Sequence, residues 1–225
     1  MIEINGLTRT CGLIGNPVEH TLSPMIHNYL AQQMDVNMVY VPFLVEQGRL
    51  EDAIKGAYGL HILGCNVTVP YKNDVIPYLA QIDELAAKMG SVNTLVRVDG
   101  GYKGYNTDMT GLYRAMSSDG VSIQVIVLGA GGVGRAVAFM CAAKGAAHVW
   151  LLNRTVEKAD EVAKEVNLTE GRSCVEALAM SDYDKLADEK YLVIQSTSVG
   201  LYPHVEDAVI TDPAFYHKVK DGYDL

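Results

Sequence analysis

The chain has 225 residues, 49% of them hydrophobic and 20% charged, a composition that is typical of a globular protein and excludes a disordered one. The formal net charge of −9 argues against a general surface for nucleic acid or anionic membranes, although an anionic small ligand needs only a local positive pocket. At the usual domain size, the length corresponds to about one and a half domains.

Short apolar runs alternate with helix-like stretches in the first half of the chain, as in an α/β protein. Strands are predicted at residues 11–15, 39–43 and 62–69. Helices are predicted at 24–34 (with Ser23 as N-cap), 47–57, 71–78, 81–89 and 109–117. Residues 94–98 and 101–105, joined through Asp99-Gly100, predict a β-hairpin.

The pattern changes after residue 120, where residues 124–128, all apolar after Gln124, predict a strand of a buried parallel sheet. A Gly-rich turn follows, and the next elements are a helix to about residue 144, a strand at 148–152, a helix at 155–166 and a strand at 191–195. This order predicts the β-α-β-α-β half of a dinucleotide-binding fold, with a domain boundary near residues 109–122.

The Gly-rich turn reads GAGGVG at residues 129–134, follows an apolar strand and opens a helix of small residues. In this context Gly129 allows a tight turn, Gly131 lets the backbone approach a pyrophosphate, and Gly134 lets the helix pack on the strand. The phosphates are expected at the helix N-terminus. The less favoured interpretation is a Gly-rich turn that only packs tightly.

The end of the second strand of this half predicts which nicotinamide cofactor binds. An NAD enzyme usually has Asp or Glu there, whereas this chain has Asn153, Arg154 and Thr155, with Lys158 one turn later. Arg154 can hold a ribose 2′-phosphate through two parallel hydrogen bonds. We therefore predict NADP over NAD. The alternative is that Arg154 and Lys158 are solvated surface cations.

Polar residues in the first half are candidates for a ligand site. Thr21 and Ser23 precede the helix from residue 24, whose N-terminus suits a carboxylate, although Ser23 alone would be explained as an N-cap. Residues 66–72, NVTVPYK, place Asn66 and Thr68 on one face of a strand. Pro70 is then expected to start a helix with Lys72 in its first turn.

Lys72 is a candidate for acid/base chemistry because a helix N-terminus disfavours its positive charge. A solvated surface lysine is the plain alternative. Asp108, in the segment GYNTD at residues 104–108, precedes a predicted helix and has capping as its alternative role. A carboxylate beside Lys72 would fix its position, and the pair would then pass a proton to or from a hydroxyl while a cofactor moves a hydride.

The four cysteines are irregularly spaced, so a metal site or a disulfide framework is not expected and free, mostly buried thiols are. The N-terminus lacks a basic and apolar leader, and no apolar run has the length of a membrane span. We predict a soluble cytoplasmic protein with no metal, no nucleic-acid partner and no membrane partner.

Together the motifs resemble the shikimate dehydrogenase family over the whole chain. They are GNP at residues 15–17, HTLSP at 20–24, NVTVPYK at 66–72, VNT at 92–94, GYNTD at 104–108, GAGGVG at 129–134, NRT at 153–155 and STSVG at 196–200. The resemblance implies a small-molecule substrate and the reversible, NADP-dependent reduction of 3-dehydroshikimate to shikimate, in chorismate and aromatic amino-acid biosynthesis.

The resemblance also implies site residues. Lys72 and Asp108 would be the catalytic pair, with Lys72 polarising the ketone and supplying the proton. Thr21 and Ser23 would bind the carboxylate. The ring hydroxyls would be held by Asn66, Thr68, Asn93 and Asp108. The cofactor contacts would be Gly129, Gly131, Gly132, Val133, Gly134, Asn153, Arg154, Thr155, Lys158 and Thr197.

The implied architecture is a substrate-binding catalytic domain at residues 1–110 and a Rossmann-like, doubly wound NADP-binding domain at 111–225, with the active-site cleft between them. Three departures from the family are visible. Thr21 and Gln195 replace a common Ser and a frequent Asn. The chain stops at Leu225, where the family begins a strand and then helices with a substrate-contacting Gln, so we expect a truncated second domain.

Three alternatives stay open at this point. The chain could be a quinate/shikimate dehydrogenase with broader substrate or cofactor use, since motifs do not settle details of the pocket. It could be a non-catalytic module that senses shikimate-like acids, which the retention of Lys72 and Asp108 argues against. It could also be an incomplete enzyme that is inactive by itself. Either a monomer or a homodimer is compatible with the sequence.

Overall fold

The computed structural model describes residues 4–116, 124–201 and 203–225. The chain divides into two compact units, Met1–Asp108 and Met109–Leu225. Each unit has its own sheet and its own buried apolar core.

The first unit is built on a sheet that contains six strands in its described part. The strands are β1 (Arg9–Gly15), β2 (Met38–Leu44), β3 (Gly64–Val67), β4 (Gln81–Ile82), β5 (Thr94–Val98) and β6 (Gly101–Tyr105). The helices of this part of the chain are α1 (Ser23–Gln33), α2 (Leu50–Gly59), α3 (Glu84–Met89) and α4 (Thr107–Ala115), the last of which begins at the end of the unit.

The sheet order is β2-β1-β3-β5-β6-β4, with β1 parallel to β2 and β3, and β5 antiparallel to β3 and β6. Because β1 and β3 are parallel, their carboxyl ends meet at the same edge of the sheet. The segments that follow these two strands, residues 16–22 and 68–75, therefore leave from one place, and they carry several of the predicted substrate residues.

The second unit has a wholly parallel sheet in the order β11-β10-β7-β8-β9. Its strands are β7 (Gln124–Leu128), β8 (His148–Asn153), β9 (Val175–Ala179), β10 (Tyr191–Gln195) and β11 (Val219–Asp224). Its helices include α5 (Gly132–Ala143), α6 (Val156–Glu170) and α7 (Pro213–Tyr216). The strand order reverses direction between β7 and β10, and ligands of doubly wound folds bind at such a switch point.

These two sheets confirm the predicted fold class, an α/β protein with a doubly wound, Rossmann-like second half. β7 is buried because its residues are all apolar after Gln124 and both faces of a parallel sheet are covered. The small residues of α5 pack closely on this sheet, with Ala136, Val137 and Ala138 almost inaccessible to solvent. This packing fixes the place where the Gly-rich turn leaves β7.

Residues 191–195 form a strand as predicted, but they are not the third strand of the β-α-β-α-β half. That strand is β9, so this part of the prediction was wrong. Residues 191–195 form β10, which pairs with β7 on its other side. The sequence of β9, VEALA, was missed because Glu, Ala and Leu are good helix formers and the strand lies at the edge of the sheet.

The helix predicted at residues 71–78 is a series of turns followed by a 3₁₀ helix, Ile76–Tyr78. Pro77 has no N–H to donate, and its ring would clash with the carbonyl four residues earlier in an α-helix. Lys72 is therefore not in the first turn of a helix, and the expected effect of a helix dipole on its charge does not apply.

Other helix starts also differ from the predictions, and three of them concern capping or site residues. α1 begins at Ser23 itself, its N-cap is Leu22 without a side-chain hydrogen bond, and the predicted N-cap role of Ser23 was wrong. The predicted helix at residues 81–89 is the strand β4 followed by α3, with Asp83 as a true N-cap. Asp108 lies within the first turn of α4, not before it, and the last residue predicted for that helix, 117, lies outside the described residues.

Candidate active site

Lys72 and Asp108 form an ion pair in the first unit, with 2.7 Å between Nζ and Oδ2. The backbone of Lys72 is held by a hydrogen bond of 2.8 Å that the Val92 N–H donates to its carbonyl. The side chains keep 34% and 47% of their surface exposed, so a small molecule can reach both. An ammonium has three donors, and one bond to Asp108 leaves others for a ligand oxygen.

Asn66, at the end of β3, has its amide orientation fixed by its neighbours. Its Nδ2 lies 3.4 Å from the Asn93 carbonyl oxygen, which can only accept, so Oδ1 points the other way. There Oδ1 accepts a hydrogen bond of 2.8 Å from the Tyr40 hydroxyl. Burial raises the pKa of Tyr40 far above its usual value, so this hydroxyl stays protonated and remains a donor.

Asn93 is a buried residue, 6% exposed, that joins the β5–β6 hairpin to the start of α4. Its Oδ1 accepts from the backbone N–H of Thr107 (2.8 Å) and from the hydroxyls of Thr94 (2.9 Å) and Thr107 (3.0 Å). These bonds occupy the oxygen, and Nδ2 is the group left to donate to a ligand. They also fix the first turn of α4, which carries Asp108.

A cavity of about 270 Å³ lies where β1 and β3 end. Its lining consists of Leu13, Pro17, Val18, His20, Thr21, Ser23 and Thr68. The N-terminus of α1 borders it, where the N-cap Leu22 offers no side-chain hydrogen bond but the Thr21 Oγ accepts the Ser23 N–H at 3.2 Å. The cavity thus combines hydroxyl groups with the N-terminus of an eleven-residue helix, a combination that suits a carboxylate.

The Gly-rich loop of the second unit has the geometry of a phosphate cradle. Gly129 has φ +105°, which other residues rarely adopt, and a Cβ on Gly134 would lie 1.9 Å from the Gly129 carbonyl oxygen. Nothing lies within 4 Å of a Cβ added at Gly131 or Gly132. The N-cap Gly131 has no side-chain hydrogen bond, so the first N–H groups of α5 are available to an anion.

Asn153 links this loop to the turn between β8 and α6. Its Oδ1 accepts the Ala130 N–H at 3.1 Å, and its Nδ2 donates to the Thr155 carbonyl at 2.8 Å. The exposed side chains of Arg154 and Lys158 make no hydrogen bond or ion pair with any of the described residues. Two cations without a partner in the described part of the chain thus follow β8, where a dinucleotide places its adenosine ribose.

The loop after β10 completes the switch point. Ser196 Oγ donates to the Leu128 carbonyl at 2.8 Å and lies 3.2 Å from the Gly129 carbonyl. The Thr197 methyl group would be 2.7 Å from a Cβ on Gly129. Four of the predicted cofactor contacts therefore lie together, either touching or joined through one residue: Gly129, Gly134, Asn153 and Thr197. Two more, Val133 and Thr155, are exposed in the same segments.

Residues that sequence reasoning missed are Tyr40, Thr94, Thr107 and Ser196 as supports of the site. The last three stand inside the recognised motifs, so their position was a usable signal. Tyr40 had no such signal, because it acts across the intervening strand β1. In the described part of the chain, no cluster of His, Cys, Asp and Glu could hold a metal ion, and no helix has the length and apolar character of a membrane span.

A doubly wound sheet with an open Gly-rich loop at its switch point defines the second unit as a dinucleotide-binding one. Two family models match the chain: "Shikimate dehydrogenase substrate binding domain" at residues 13–95, and "Shikimate / quinate 5-dehydrogenase" at 114–210. The chain belongs to the shikimate dehydrogenase family, and the predicted resemblance is confirmed.

Individual relatives agree with the family models. A curated relative from Desulforamulus reducens, "Shikimate dehydrogenase (NADP(+))", is 39% identical over 91% of this chain and 72% of its own length. A solved shikimate dehydrogenase in complex with NADP+ has a TM-score of 0.80 at 36% identity, over 92% of this chain and 73% of its own. Quinate dehydrogenase from Corynebacterium glutamicum, in complex with NAD, has a TM-score of 0.80 at 28% identity, over 92% of this chain and 76% of its own.

Proposed function

We propose that this chain catalyses the reversible reduction of 3-dehydroshikimate to shikimate with NADPH, through the Lys72–Asp108 pair. The curated relatives are named as NADP-dependent shikimate dehydrogenases, and the predicted enzyme class, function and cofactor are confirmed at the level of the family. The observation that carries the assignment of the pair is the 2.7 Å contact between Nζ and Oδ2, beside amides and hydroxyls suited to a polyol.

The first unit is the substrate-binding and catalytic domain in this proposal, and the second binds NADP. The substrate carboxylate lies at the N-terminus of α1, with the hydroxyls of Thr21 and Ser23 as further donors. Ring hydroxyls meet Asn66, Thr68 and the amide nitrogen of Asn93. Because the Asn93 oxygen is already occupied, that residue recognises an acceptor, namely the oxygen of a ring hydroxyl.

Lys72 acts on the reacting oxygen. Its ammonium donates a hydrogen bond to the ketone, draws electron density onto the oxygen and gives up a proton as the alcohol forms. The carboxylate of Asp108 keeps the ammonium aimed at that oxygen and stabilises its positive charge before the transfer. The cofactor, when bound, supplies the hydride. In the oxidation of shikimate, the neutral amine of Lys72 takes the proton back.

The residues of the second unit fit the phosphates of this cofactor. The pyrophosphate would be held by the N–H groups of the first turn of α5, where Gly131 and Gly132 leave room for it. The 2′-phosphate would be held by Arg154 and Lys158, which no described side chain neutralises. Asn153 holds the pyrophosphate site and the 2′-phosphate site at a fixed distance from each other, because its side chain bonds both to the Gly-rich loop and to the turn after β8.

Replacing Arg154 with Ala is expected to weaken NADP binding by roughly ten- to a hundredfold, because a charge-assisted bidentate contact contributes about 1.5–3 kcal/mol. NAD has no 2′-phosphate, so its affinity should change by less than about twofold. The measurement is the KM for each cofactor at saturating shikimate. Equal losses for NADP and NAD would show that Arg154 does not contact the 2′-phosphate.

A matched control for this variant lies in α6, the helix that follows Arg154. Lys164 in α6 has the same charge and is exposed, but its Nζ is 2.5 Å from the Asp160 carboxylate. Lys164→Ala removes one positive charge from the second unit, as Arg154→Ala does, but it leaves the cations after β8 in place. The ratio of the NADP and NAD affinities should stay at the wild-type value in this control.

Quinate dehydrogenase among the structural neighbours makes quinate the substrate to compare. We expect the purified chain to oxidise shikimate with NADP at a kcat/KM at least about tenfold above that for quinate, or for shikimate with NAD, since one well-placed polar contact is worth about that factor. The measurement is a steady-state comparison of the four substrate and cofactor pairs. Comparable turnover of quinate would identify the chain as a quinate/shikimate dehydrogenase of broader substrate use. Binding of shikimate without any turnover would instead indicate a sensing role.

The proposal also includes the setting in which the enzyme acts. All four cysteines are free thiols and three of them are buried, as expected for a reducing compartment such as the cytoplasm. Burial raises the pKa of Cys65 and of Cys141 to about 12, so these thiols are unreactive. We propose a cytoplasmic enzyme that works as a monomer or a homodimer. Light scattering after size-exclusion chromatography would distinguish the two states.

A further inference from the structure

The turn after β10 is closed by the side chain of Gln195. Its Oε1 accepts a hydrogen bond of 2.6 Å from the Thr197 N–H. Its Nε2 donates to the Val199 carbonyl at 2.9 Å and lies 3.3 Å from the Thr197 carbonyl. One half-buried amide therefore satisfies backbone groups of residues 197 and 199, in a segment that is neither helix nor strand.

The turn fixes the direction of the Thr197 hydroxyl. Its Oγ accepts the Val199 N–H at 3.2 Å. The backbones of Thr197 and Val199 are both bonded to the Gln195 amide. A hydroxyl has one hydrogen to donate, and no described residue accepts it from Thr197. This hydrogen is therefore available to a bound ligand.

The same turn lies directly against the Gly-rich loop. Ser196 Oγ donates to the Leu128 carbonyl and lies 3.2 Å from the Gly129 carbonyl, and the Thr197 methyl group would be 2.7 Å from a Cβ added at Gly129. The Thr197 hydroxyl is thus placed at the switch point, beside the loop that would hold the pyrophosphate. A change in the turn would move this hydroxyl without changing any group of the loop itself.

We propose that Gln195 is a positioning residue for the cofactor, which holds the turn of residues 195–199 so that the Thr197 hydroxyl can donate to bound NADP. This inference rests on the proposed function, because it takes NADP as the ligand of the second unit. Gln195 does not touch the cofactor. It acts through three hydrogen bonds to the backbone of residues 197 and 199.

The test is Gln195→Met, which keeps the length of the side chain and removes its three hydrogen bonds. The Kd for NADPH, measured by fluorescence titration, is expected to rise roughly tenfold, as for the loss of one oriented ligand contact. The KM for shikimate should stay within about twofold of wild type, because none of the substrate residues is changed. A purely structural role would instead lower the melting temperature and leave the Kd unchanged.

Gln124→Met is the matched control. Gln124 is also half buried and lies in the same sheet, but at the amino end of β7, where its amide bonds Glu189 and Trp150 at 2.8 Å each. It should lose a similar amount of thermal stability and keep the wild-type Kd for NADPH. An equal rise of the Kd in the two variants would overturn the proposal, and so would a Kd within about twofold of wild type for Gln195→Met.

Gln195→Asn provides a second variant if the Met variant does not fold. Asn can still accept the Thr197 N–H in an Asx turn, but its side chain is one methylene too short to reach the Val199 carbonyl. We expect a Kd for NADPH about three- to fivefold above wild type, and an unchanged Kd would overturn the proposal. The titration does not depend on turnover, so absence of shikimate oxidation by the wild type would contradict the proposed function alone.

Discussion

Replacing Lys72 with Met is expected to lower kcat for shikimate oxidation by about 10²- to 10⁴-fold, the range for removal of a general acid or base. The Met side chain keeps the length of the aliphatic stem but has no proton to transfer and no charge to polarise the ketone. The Kd for NADPH should stay within about twofold of wild type, since every residue proposed to hold a phosphate is in the second unit. The measurements are steady-state kinetics and fluorescence titration.

Asp108→Asn gives the second half of this prediction. The amide has the shape of the carboxylate but no charge, so the 2.7 Å contact that aims the ammonium of Lys72 is weakened from an ion pair to a hydrogen bond with an uncharged acceptor. Because the two side chains act as one unit, the double variant should be little slower than Lys72→Met alone. Multiplicative losses would mean that Asp108 has a separate role, for instance in holding a ring hydroxyl.

Lys55→Met is the control for removal of a paired lysine from the first unit. Lys55 is exposed and pairs with Glu51 at 2.6 Å within α2, a helix that contributes none of the groups of the candidate site. Its kcat should equal that of wild type. If Lys72→Met keeps more than about a tenth of the wild-type kcat, the assignment of Lys72 as the proton donor is wrong.

Gly134→Ala is the substitution with the largest expected effect on the second unit. The new methyl group would stand 1.9 Å from the Gly129 carbonyl oxygen and 2.7 Å from the Ser196 hydroxyl, so the start of α5 must move away from β7. Such overpacking costs about 1–3 kcal/mol of stability. A displacement of about 1 Å in the phosphate cradle should also weaken NADPH binding by about 10²-fold. Thermal unfolding and fluorescence titration measure the two effects.

Two other glycines separate these effects. Gly131→Ala places its methyl group in open space, so the protein should stay as stable as wild type while the methyl group obstructs a bound pyrophosphate. Gly111 in α4 also has nothing within 4 Å of an added Cβ. Gly111→Ala should raise stability by about 0.5–1 kcal/mol and leave NADPH binding unchanged. If Gly131→Ala binds NADPH as tightly as wild type does, the pyrophosphate does not lie at Gly131.

Elements with a strong local pattern were predicted closely from the sequence. The hairpin strands β5 and β6 have the predicted bounds, because alternating residues flank a Gly pair that suits a tight turn. β7 and the Gly-rich loop also match, since apolar strand, glycines and small-residue helix all indicate the same fold. In each case the information lies within about fifteen residues of sequence.

Features that depend on contacts between distant segments were not accessible in this way. Tyr40 reaches Asn66 across β1, and this contact requires the strand order β2-β1-β3, which no local pattern contains. Lys72 was selected for a helix dipole that does not exist there, but its pairing with Asp108, suggested from residue types and family motifs, is present. The roles of the site residues stay predictions until the variants are measured.

The absence of protein partners for Arg154 and Lys158 within the described residues has an evolutionary consequence. A side chain that no other side chain neutralises can be exchanged without leaving a buried or orphaned charge behind. Changing position 154 to an acidic residue should therefore alter the preference between the two nicotinamide cofactors at little thermodynamic penalty to the fold. Coenzyme choice in this lineage is then a readily evolvable trait, which single substitutions at the end of one strand can shift while the proton-transfer machinery stays intact.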